Sequence, residues 1–183
     1  MTIIGEDANE IILVSGPSRS GKSKWAEHLL RKKLDVVYIA TSDVIDDKEW
    51  QERILLHQER RPSSWKLIEA PDNLESSIHN LPSNNAILID SLGTYISKFL
   101  NIDNNKWLNI ENSLINFFSR EKRLIVIVIE ETGWGVVPST SIGNVFRDRL
   151  GSMSQKLQKI SNKSWLVIQG RAINLQEISA PVP

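Results

Sequence analysis

The chain has 183 residues, carries 22 basic and 22 acidic side chains, and contains no cysteine. A chain of this length favours a single domain with a full hydrophobic core. The zero net charge argues against nucleic acid or an anionic membrane as the main partner, and the lack of cysteine excludes disulfides, thiolate catalysis and cysteine metal sites.

The first ten residues lack a basic start and a long apolar run, so we expect a flexible N-terminal extension and not a secretion signal. The longest apolar stretch, residues 124–129, is far too short to span a bilayer. We therefore expect a cytoplasmic protein with one main domain at residues 11–170. The tail at residues 171–183 shows no pattern, and we expect it to be poorly ordered.

Short β-branched runs alternate with helical patterns along this domain, which is typical of βαβ units and a mostly parallel sheet. The predicted strands cover residues 11–15, 36–41, 65–69, 86–90, 124–130 and 165–169. The predicted helices cover residues 24–33, 46–60, 73–80, 92–100, 107–120 and 146–160. The sequence thus predicts an α/β domain in which helices flank the sheet.

The first strand–helix junction carries the motif GPSRSGKS, which fits the phosphate-binding pattern G-x-x-x-x-G-K-[ST]. In such a loop the backbone N–H groups and the helix N-terminus face phosphate oxygens. Lys22 is spaced to reach the outer phosphates, and the Ser23 hydroxyl is spaced to ligate Mg²⁺. The sequence therefore predicts a nucleoside triphosphate site formed by Gly16, Pro17, Ser18, Arg19, Ser20, Gly21, Lys22 and Ser23.

Polar residues also follow several other predicted strands. Ligands of open parallel sheets sit beyond the carboxyl ends of the strands, so we expect these residues to share one edge. They are Thr41, Ser42, Asp43, Glu69, Asp90, Glu130 and Glu131.

Two alternatives stay open at this edge. Asp90 stands where phosphate-loop NTPases often carry a carboxylate for Mg²⁺ or its water shell, but a strand-end acid also caps a following helix. Glu130 and Glu131 either face the ligand or form a solvated pair.

His57 is the candidate catalytic residue among three histidines, because His28 and His79 fit structural or exposed positions. On the predicted helix it shares a face with Arg61, and by itself that pattern more often marks a boundary residue than a catalyst. The run Gln58-Glu59-Arg60-Arg61-Pro62 adds two guanidinium groups, which match phosphate oxygens. A neutral imidazole is a competent nucleophile toward phosphorus.

Several longer motifs identify a resemblance over nearly the whole chain, from Ile11 to about Gly170. They are ILVSGPSRSGKS, VVYIATS, the D-D-x-x-W-x-x-R-I-x-x-H-x-x-x-R-P run at 46–62, W-x-x-x-E at 65–69, ETGWGVVP at 131–138 and F-R-D-x-x-G at 146–151. With these motifs the chain resembles the bifunctional adenosylcobinamide kinase / adenosylcobinamide-phosphate guanylyltransferase family of cobalamin biosynthesis.

The resemblance implies a single-domain phosphate-loop NTPase of RecA-like type and two successive reactions. The family phosphorylates the aminopropanol hydroxyl of adenosylcobinamide, with ATP or GTP as donor. It then passes GMP from GTP, through a guanylylated histidine, to the phosphorylated corrinoid. By position, His57 would be that histidine and Lys22 the catalytic lysine of the loop. The nucleotide contacts it implies are Gly16 to Ser23, Thr41, Ser42, Asp43, Gln58, Glu59, Arg60, Arg61, Glu69 and Asp90.

The same resemblance leads us to expect a homotrimer, small-molecule substrates, and Mg²⁺ held by Ser23 and Asp90. Asp90 keeps a second candidate role, because a carboxylate also suits the adjacent N1–H and N2–H donors of guanine. The chain departs from the family pattern at Glu130 and Ser154, where Asn is usual, and in its C-terminal segment. Glu130 adds a negative charge near the expected phosphates.

Two other functions stay open at this stage. A plain phosphate-loop small-molecule kinase would need Lys22, Ser23 and Asp90 but not His57. A nucleotide-gated regulatory module would turn over slowly and depend on a partner.

Overall fold

The computed structural model of the protein describes residues 10–43 and 61–182. These residues form one seven-stranded sheet with the order β3-β2-β4-β5-β1-β6-β7. The first six strands run parallel, and β7 is antiparallel to β6. The strands are β1 (Ile11–Gly16), β2 (Val36–Ala40), β3 (Lys66–Glu69), β4 (Ala86–Asp90), β5 (Ile125–Glu130), β6 (Lys163–Ile168) and β7 (Arg171–Asn174).

The helices of the described residues begin at short polar side chains or at a glycine. Asn73, Asp103 and Thr140 each accept a hydrogen bond from a backbone N–H of the first turn that follows. Because Thr140 acts as a cap, the helix predicted from residue 146 begins earlier. The helices are α1 (Lys22–Leu30), α2 (Leu74–His79), α3 (Leu92–Ser97), α4 (Asn104–Arg120), α5 (Ser141–Ile160) and α6 (Leu175–Ile178). The helix predicted at residues 46–60 lies outside the described residues.

The sheet is buried on both faces, which explains why its central strands read as continuous apolar runs. On one face, Val14 and Val128 pack with Ala26 and Leu30 of α1. On the other face, residues such as Ile127 pack against the apolar sides of α2 to α5. Each fully buried Ile, Leu or Phe side chain contributes about 1.5–3 kcal/mol, so these two layers fix the sheet and its edges.

The structure confirms the predicted alternation of strands and helices and corrects the predicted tail. Residues 171–174 form β7, which pairs with β6 from Ile168↔Arg171 to Trp165↔Asn174. Gln169 and Gly170 both have positive φ, as a tight two-residue hairpin turn requires. The sequence signal was missed because Gln replaces the usual Asn or Asp before Gly, and four residues are too few to show a period.

Among the helices of residues 10–43 and 61–182, none is both long and apolar enough to cross a membrane.

Candidate active site

The phosphate loop connects the end of β1 to the start of α1. The Ser20 backbone N–H donates to the Pro17 carbonyl oxygen at 3.3 Å, and the Trp25 N–H donates to the Gly21 carbonyl oxygen at 2.9 Å. Arg19 and Gly21 have φ angles of 59° and 100°, in the left-handed region. Backbone turned in this way forms the concave N–H surface that binds anions.

The β6–β7 hairpin packs against the phosphate loop and bonds to it. A Cβ atom built at Gly16 would overlap the Val167 carbonyl oxygen of β6, so only glycine fits there. The Gly170 N–H donates to the Ser20 carbonyl oxygen at 3.1 Å. The turn that leads into the segment expected to be a tail therefore bonds to the phosphate loop.

Lys22 and Ser20 are the two loop side chains most suited to a phosphate. Lys22 is the first residue of α1, is largely buried, and donates from Nζ to the Pro17 carbonyl oxygen at 3.2 Å. Ser20 is also buried, and within the part of the chain described its hydroxyl has no hydrogen-bond partner. Buried polar groups are normally paired, so the Ser20 hydroxyl is suited to donate a hydrogen bond to a phosphate oxygen.

Strand register sets the order of acidic residues along the carboxyl edge of the sheet. Gly16 of β1 pairs with Glu130 of β5, and Ala40 of β2 pairs with both Asp90 of β4 and Glu69 of β3. Neighbouring strands lie about 4.8 Å apart, so Glu130, Asp90 and Glu69 lie one, two and four strands from β1, at about 5, 10 and 19 Å measured across the sheet. Asp90 therefore lies between the loop and the exposed Glu69, which is at the far end of the edge.

Asp90 is held by a buried tyrosine. Tyr38 Oη donates to Asp90 Oδ2 at 2.8 Å. Burial, reinforced by the charge of Asp90, raises the pKa of Tyr38, so the phenol keeps its proton and donates. The Arg61 guanidinium lies 5.2 Å from the centroid of the Tyr38 ring, a cation–π distance. Tyr38 therefore connects Asp90 to the residue that follows the 44–60 segment.

The helix after Asp90 is capped by Ser91, whose side chain accepts a hydrogen bond from the Thr94 N–H. The alternative that Asp90 caps this helix is therefore wrong. Thr41 lies beneath the same turn and is fully buried. Its hydroxyl donates to the Ser91 carbonyl oxygen at 2.5 Å and accepts from the Ser91 N–H at 2.9 Å. The Thr41 hydroxyl thus fixes the backbone of Ser91 from inside the protein. It is not exposed at the carboxyl edge of the sheet, where a nucleotide would bind.

The two residues after Thr41 are arranged differently from it. Ser42 is partly buried, and Asp43 is exposed and forms an ion pair with Lys98 at 3.0 Å. Only the Asp43 end of this pair is exposed to solvent, which screens the charge, so Asp43 can exchange Lys98 for another partner at little cost.

Glu130 is a functional candidate that sequence reasoning placed at the edge but did not assign. Its Oε1 accepts a hydrogen bond from the Ser91 hydroxyl, and its Oε2 accepts from the Gly93 N–H at 3.0 Å. Burial raises the pKa of Glu130, against the Ser91 hydrogen bond and the nearby Lys22 charge, which lower it. Glu130 is therefore not one half of a solvated pair. The strand order, which no local pattern encodes, is what makes it a neighbour of the loop.

The donor set at this edge fits Mg²⁺. Ser23 and Asp90 offer a hydroxyl and a carboxylate, the hard oxygen ligands that Mg²⁺ prefers. In the described ranges no three or more His, Asp or Glu side chains form a metal-binding group.

A model of the cobinamide kinase / cobinamide phosphate guanyltransferase family matches residues 12–175. The chain belongs to this family. It is 34% identical over 181 residues to the bifunctional adenosylcobalamin biosynthesis protein CobU of Escherichia coli, covering 91% of this chain and 99% of that protein. It is 30% identical over 167 residues to the bifunctional adenosylcobalamin biosynthesis protein CobP of Pseudomonas aeruginosa, covering 90% and 96%.

Solved structures with low sequence identity share the fold. The Pyrococcus horikoshii protein PH0250 superposes with a TM-score of 0.58 at 12% identity, over 97% of this chain and 93% of that one. An ATPase from the type III secretion system of pathogenic bacteria gives 0.55 at 8% identity, over 95% and 59%. These likenesses confirm the predicted phosphate-loop α/β fold.

The described residues thus bring together the phosphate loop, Glu130 and Asp90, with Tyr38 and Arg61 beside them. Glu69 sits apart at the outer end of the edge. His57, Gln58, Glu59 and Arg60 lie outside the described residues, so their assignment stays a prediction.

The raised pKa of Glu130 predicts a pH-dependent stability difference. Between the ordinary pKa of Glu, 4.5, and the raised value, the folded protein binds more protons than the unfolded chain, so its free energy of unfolding falls as pH rises through this window. Glu130→Gln removes that titration. The variant should therefore gain stability relative to the wild type from pH 4.5 upward, by about 1.4 kcal/mol per unit of raised pKa.

Urea unfolding at a series of pH values measures this difference. A difference that stays constant, or that moves toward the wild type as pH rises, would contradict the buried state of Glu130. Glu177→Gln, which removes one charge from an exposed position in α6, serves as the control and should show no such trend.

Proposed function

We propose that this protein is a bifunctional transferase that carries out both reactions of its family. It phosphorylates adenosylcobinamide and then transfers GMP from GTP to give adenosylcobinamide-GDP in cobalamin biosynthesis. The observation that carries the proposal is the family match over residues 12–175, which includes the formed phosphate loop as well as the 46–62 run. The names of the curated relatives, which describe bifunctional adenosylcobalamin biosynthesis proteins, support it.

In the kinase step, the aminopropanol oxygen attacks the γ-phosphorus of ATP or GTP, and the nucleoside diphosphate leaves. The loop N–H groups and Lys22 hold the phosphates, with Lys22 exchanging its bond to the Pro17 carbonyl oxygen for phosphate oxygens. Mg²⁺, held by Ser23 and Asp90, would neutralise charge on the phosphates. Tyr38 keeps the Asp90 carboxylate oriented.

In the guanylyl step, an imidazole nitrogen of His57 attacks the α-phosphorus of GTP, and pyrophosphate leaves. A phosphate oxygen of the phosphorylated corrinoid then attacks the same phosphorus, breaks the P–N bond and frees the imidazole. Arg61, which follows this segment, contacts Tyr38, the partner of Asp90, and this supports a role for the segment at the same edge.

His57→Asn should abolish transfer of label from GTP, labelled on the α-phosphate, to the protein. It should also stop guanylyl transfer to the corrinoid phosphate, while the kinase step persists at least in part, because phosphoryl transfer depends on positioning and not on this imidazole. Acid-labile, alkali-stable label on the purified protein is the readout.

His79→Asn is the matched control, since His79 is exposed at the end of α2. Label that persists in the His57 variant, or that disappears in the His79 variant, would show that another residue carries GMP. Normal kinase activity in a wild-type protein that never becomes labelled would favour the plain kinase.

We further propose that Asp90 serves the metal and that Glu69 serves the guanine base. Asp90→Asn should then weaken Mg·ATP and Mg·GTP binding equally, and its effect should vanish when Mg²⁺ is omitted. Glu69→Gln should weaken GTP binding more than ATP binding, because an amide can turn a donor toward guanine's own N–H groups. Competition binding with both nucleotides measures the two effects. A loss confined to GTP in the Asp90 variant would reverse the assignment.

We also infer a cytoplasmic homotrimer, in keeping with the supply of ATP and GTP that the reactions need. Exposed apolar side chains after β5 support an association surface: Trp134, Val136 and Val137 are 55%, 94% and 62% exposed. Light scattering should give three times the chain mass of 20.8 kDa. Val136→Ser should lower that mass if the surface is used, and a monomer mass for the wild type would overturn the inference.

A further inference from the structure

Glu130 connects the phosphate loop to the turn that carries Asp90. It is the last residue of β5, the strand that lies between β1 and β4. On one side it pairs with Gly16, where the loop begins. On the other side its two carboxylate oxygens accept hydrogen bonds from Ser91, which directly follows Asp90, and from Gly93 in the first turn of α3. The carboxylate therefore joins the two halves of the site across one strand.

The fit around this carboxylate is close. A Cβ atom built at Gly93 would overlap Glu130 Oε2 and would lie 2.8 Å from Glu130 Cδ. Thr41 bonds the same turn from the β2 side, through the carbonyl oxygen and the N–H of Ser91. The turn is thus fixed from two neighbouring strands, and Gly93 is required for the Glu130 contact.

The charge of Glu130 works against nucleotide binding at the same position. The charges of Lys22 and Asp90 both act on Glu130, and a polyphosphate on the loop would bring further negative charge. Like charges at this range repel, whereas hydrogen bonds to a charged group are about twice as strong as neutral ones. A carboxylate at this position therefore lowers the affinity for the nucleotide, but it holds the turn that carries Asp90 more firmly than a neutral group would.

We propose that Glu130 is a positioning residue, whose carboxylate holds the Ser91–Gly93 turn so that Asp90 stays at a fixed place relative to the phosphate loop during transfer. This inference rests on the proposed function. The inference predicts that substitutions at this contact lower kcat without weakening nucleotide binding. A general loss of stability would lower both together.

Three variants separate the effect of the negative charge at residue 130 from the effect of the length of its side chain. Glu130→Gln keeps the reach, removes the charge and leaves one acceptor oxygen in place of two. Glu130→Asp keeps the charge but is one methylene too short for the contact. Gly93→Ala leaves Glu130 intact and displaces its carboxylate. Gly151→Ala is the matched control, because Gly151 is also a helical glycine and a Cβ atom there would meet nothing within 4 Å.

The expected result is a fall in kcat of about tenfold or more for all three variants, the loss that corresponds to a charged hydrogen bond. The dissociation constant of Mg·GTP, measured by calorimetry, should fall a few fold for Glu130→Gln and should not fall for Glu130→Asp or Gly93→Ala. Combining Glu130→Gln with Gly93→Ala should add little to either single loss in kcat, because both remove one contact. Gly151→Ala should match the wild type in both quantities.

Unchanged kcat in Glu130→Gln and Gly93→Ala, or equal losses of kcat and affinity in step with a lower Tm, would overturn the proposal. If Glu130→Gln does not fold, Glu130→Asp and Gly93→Ala carry the test. If the wild type transfers neither group to cobinamide, the proposed function fails and the binding measurement decides this inference alone. Unchanged or weaker Mg·GTP binding by Glu130→Gln then overturns it, and tighter binding supports it.

Discussion

The parallel pairing of β1 with β5 is the constraint on which the site depends. It sets Gly16, the first residue of the phosphate loop, opposite Glu130, and it makes β4 with Asp90 the next strand along. The pairing is stabilised by apolar side chains on both faces of the sheet, far more than by any contact at the edge itself. The edge can therefore hold carboxylates close to one another, although such an arrangement is unfavourable by itself, because the strands that carry them are fixed by the core.

The polar groups under the edge form a connected set. Thr41 bonds the Ser91 backbone, Ser91 bonds Glu130, and Tyr38 bonds Asp90. Taking a carboxylate out of water costs several kcal/mol, and two hydrogen bonds to a charged group return about 1.5–3 kcal/mol each. For Glu130 the cost of burial is the larger of the two effects, so its pKa is raised. Such a group adds little net stability, so its value lies in fixing the turn after Asp90.

The fold and the loop were open to prediction from sequence because both rest on local patterns. The apolar runs of the central strands give their positions, and the spacing of Gly16, Gly21 and Lys22 gives the loop. Strand order has no local signal, and the roles of Glu130 and Tyr38 follow from that order. The β6–β7 hairpin was missed for a different reason: its turn residues, Gln169 and Gly170, depart from the usual pair, and its pairing is visible only against β6.

Under the proposed function a single phosphate loop serves two reactions, and this imposes a further constraint on the edge. The loop grips phosphates through backbone N–H groups and Lys22, and these contacts are the same for ATP and GTP. Base choice must therefore come from residues away from the loop, the role proposed above for Glu69 of β3. The two steps also attack different phosphorus atoms, γ in one and α in the other, while the loop stays where the β6–β7 hairpin and β5 hold it. Under the proposed function the two acceptors must take different positions relative to the loop, while the Glu130 contacts with Ser91 and Gly93 hold the turn after Asp90 in one place.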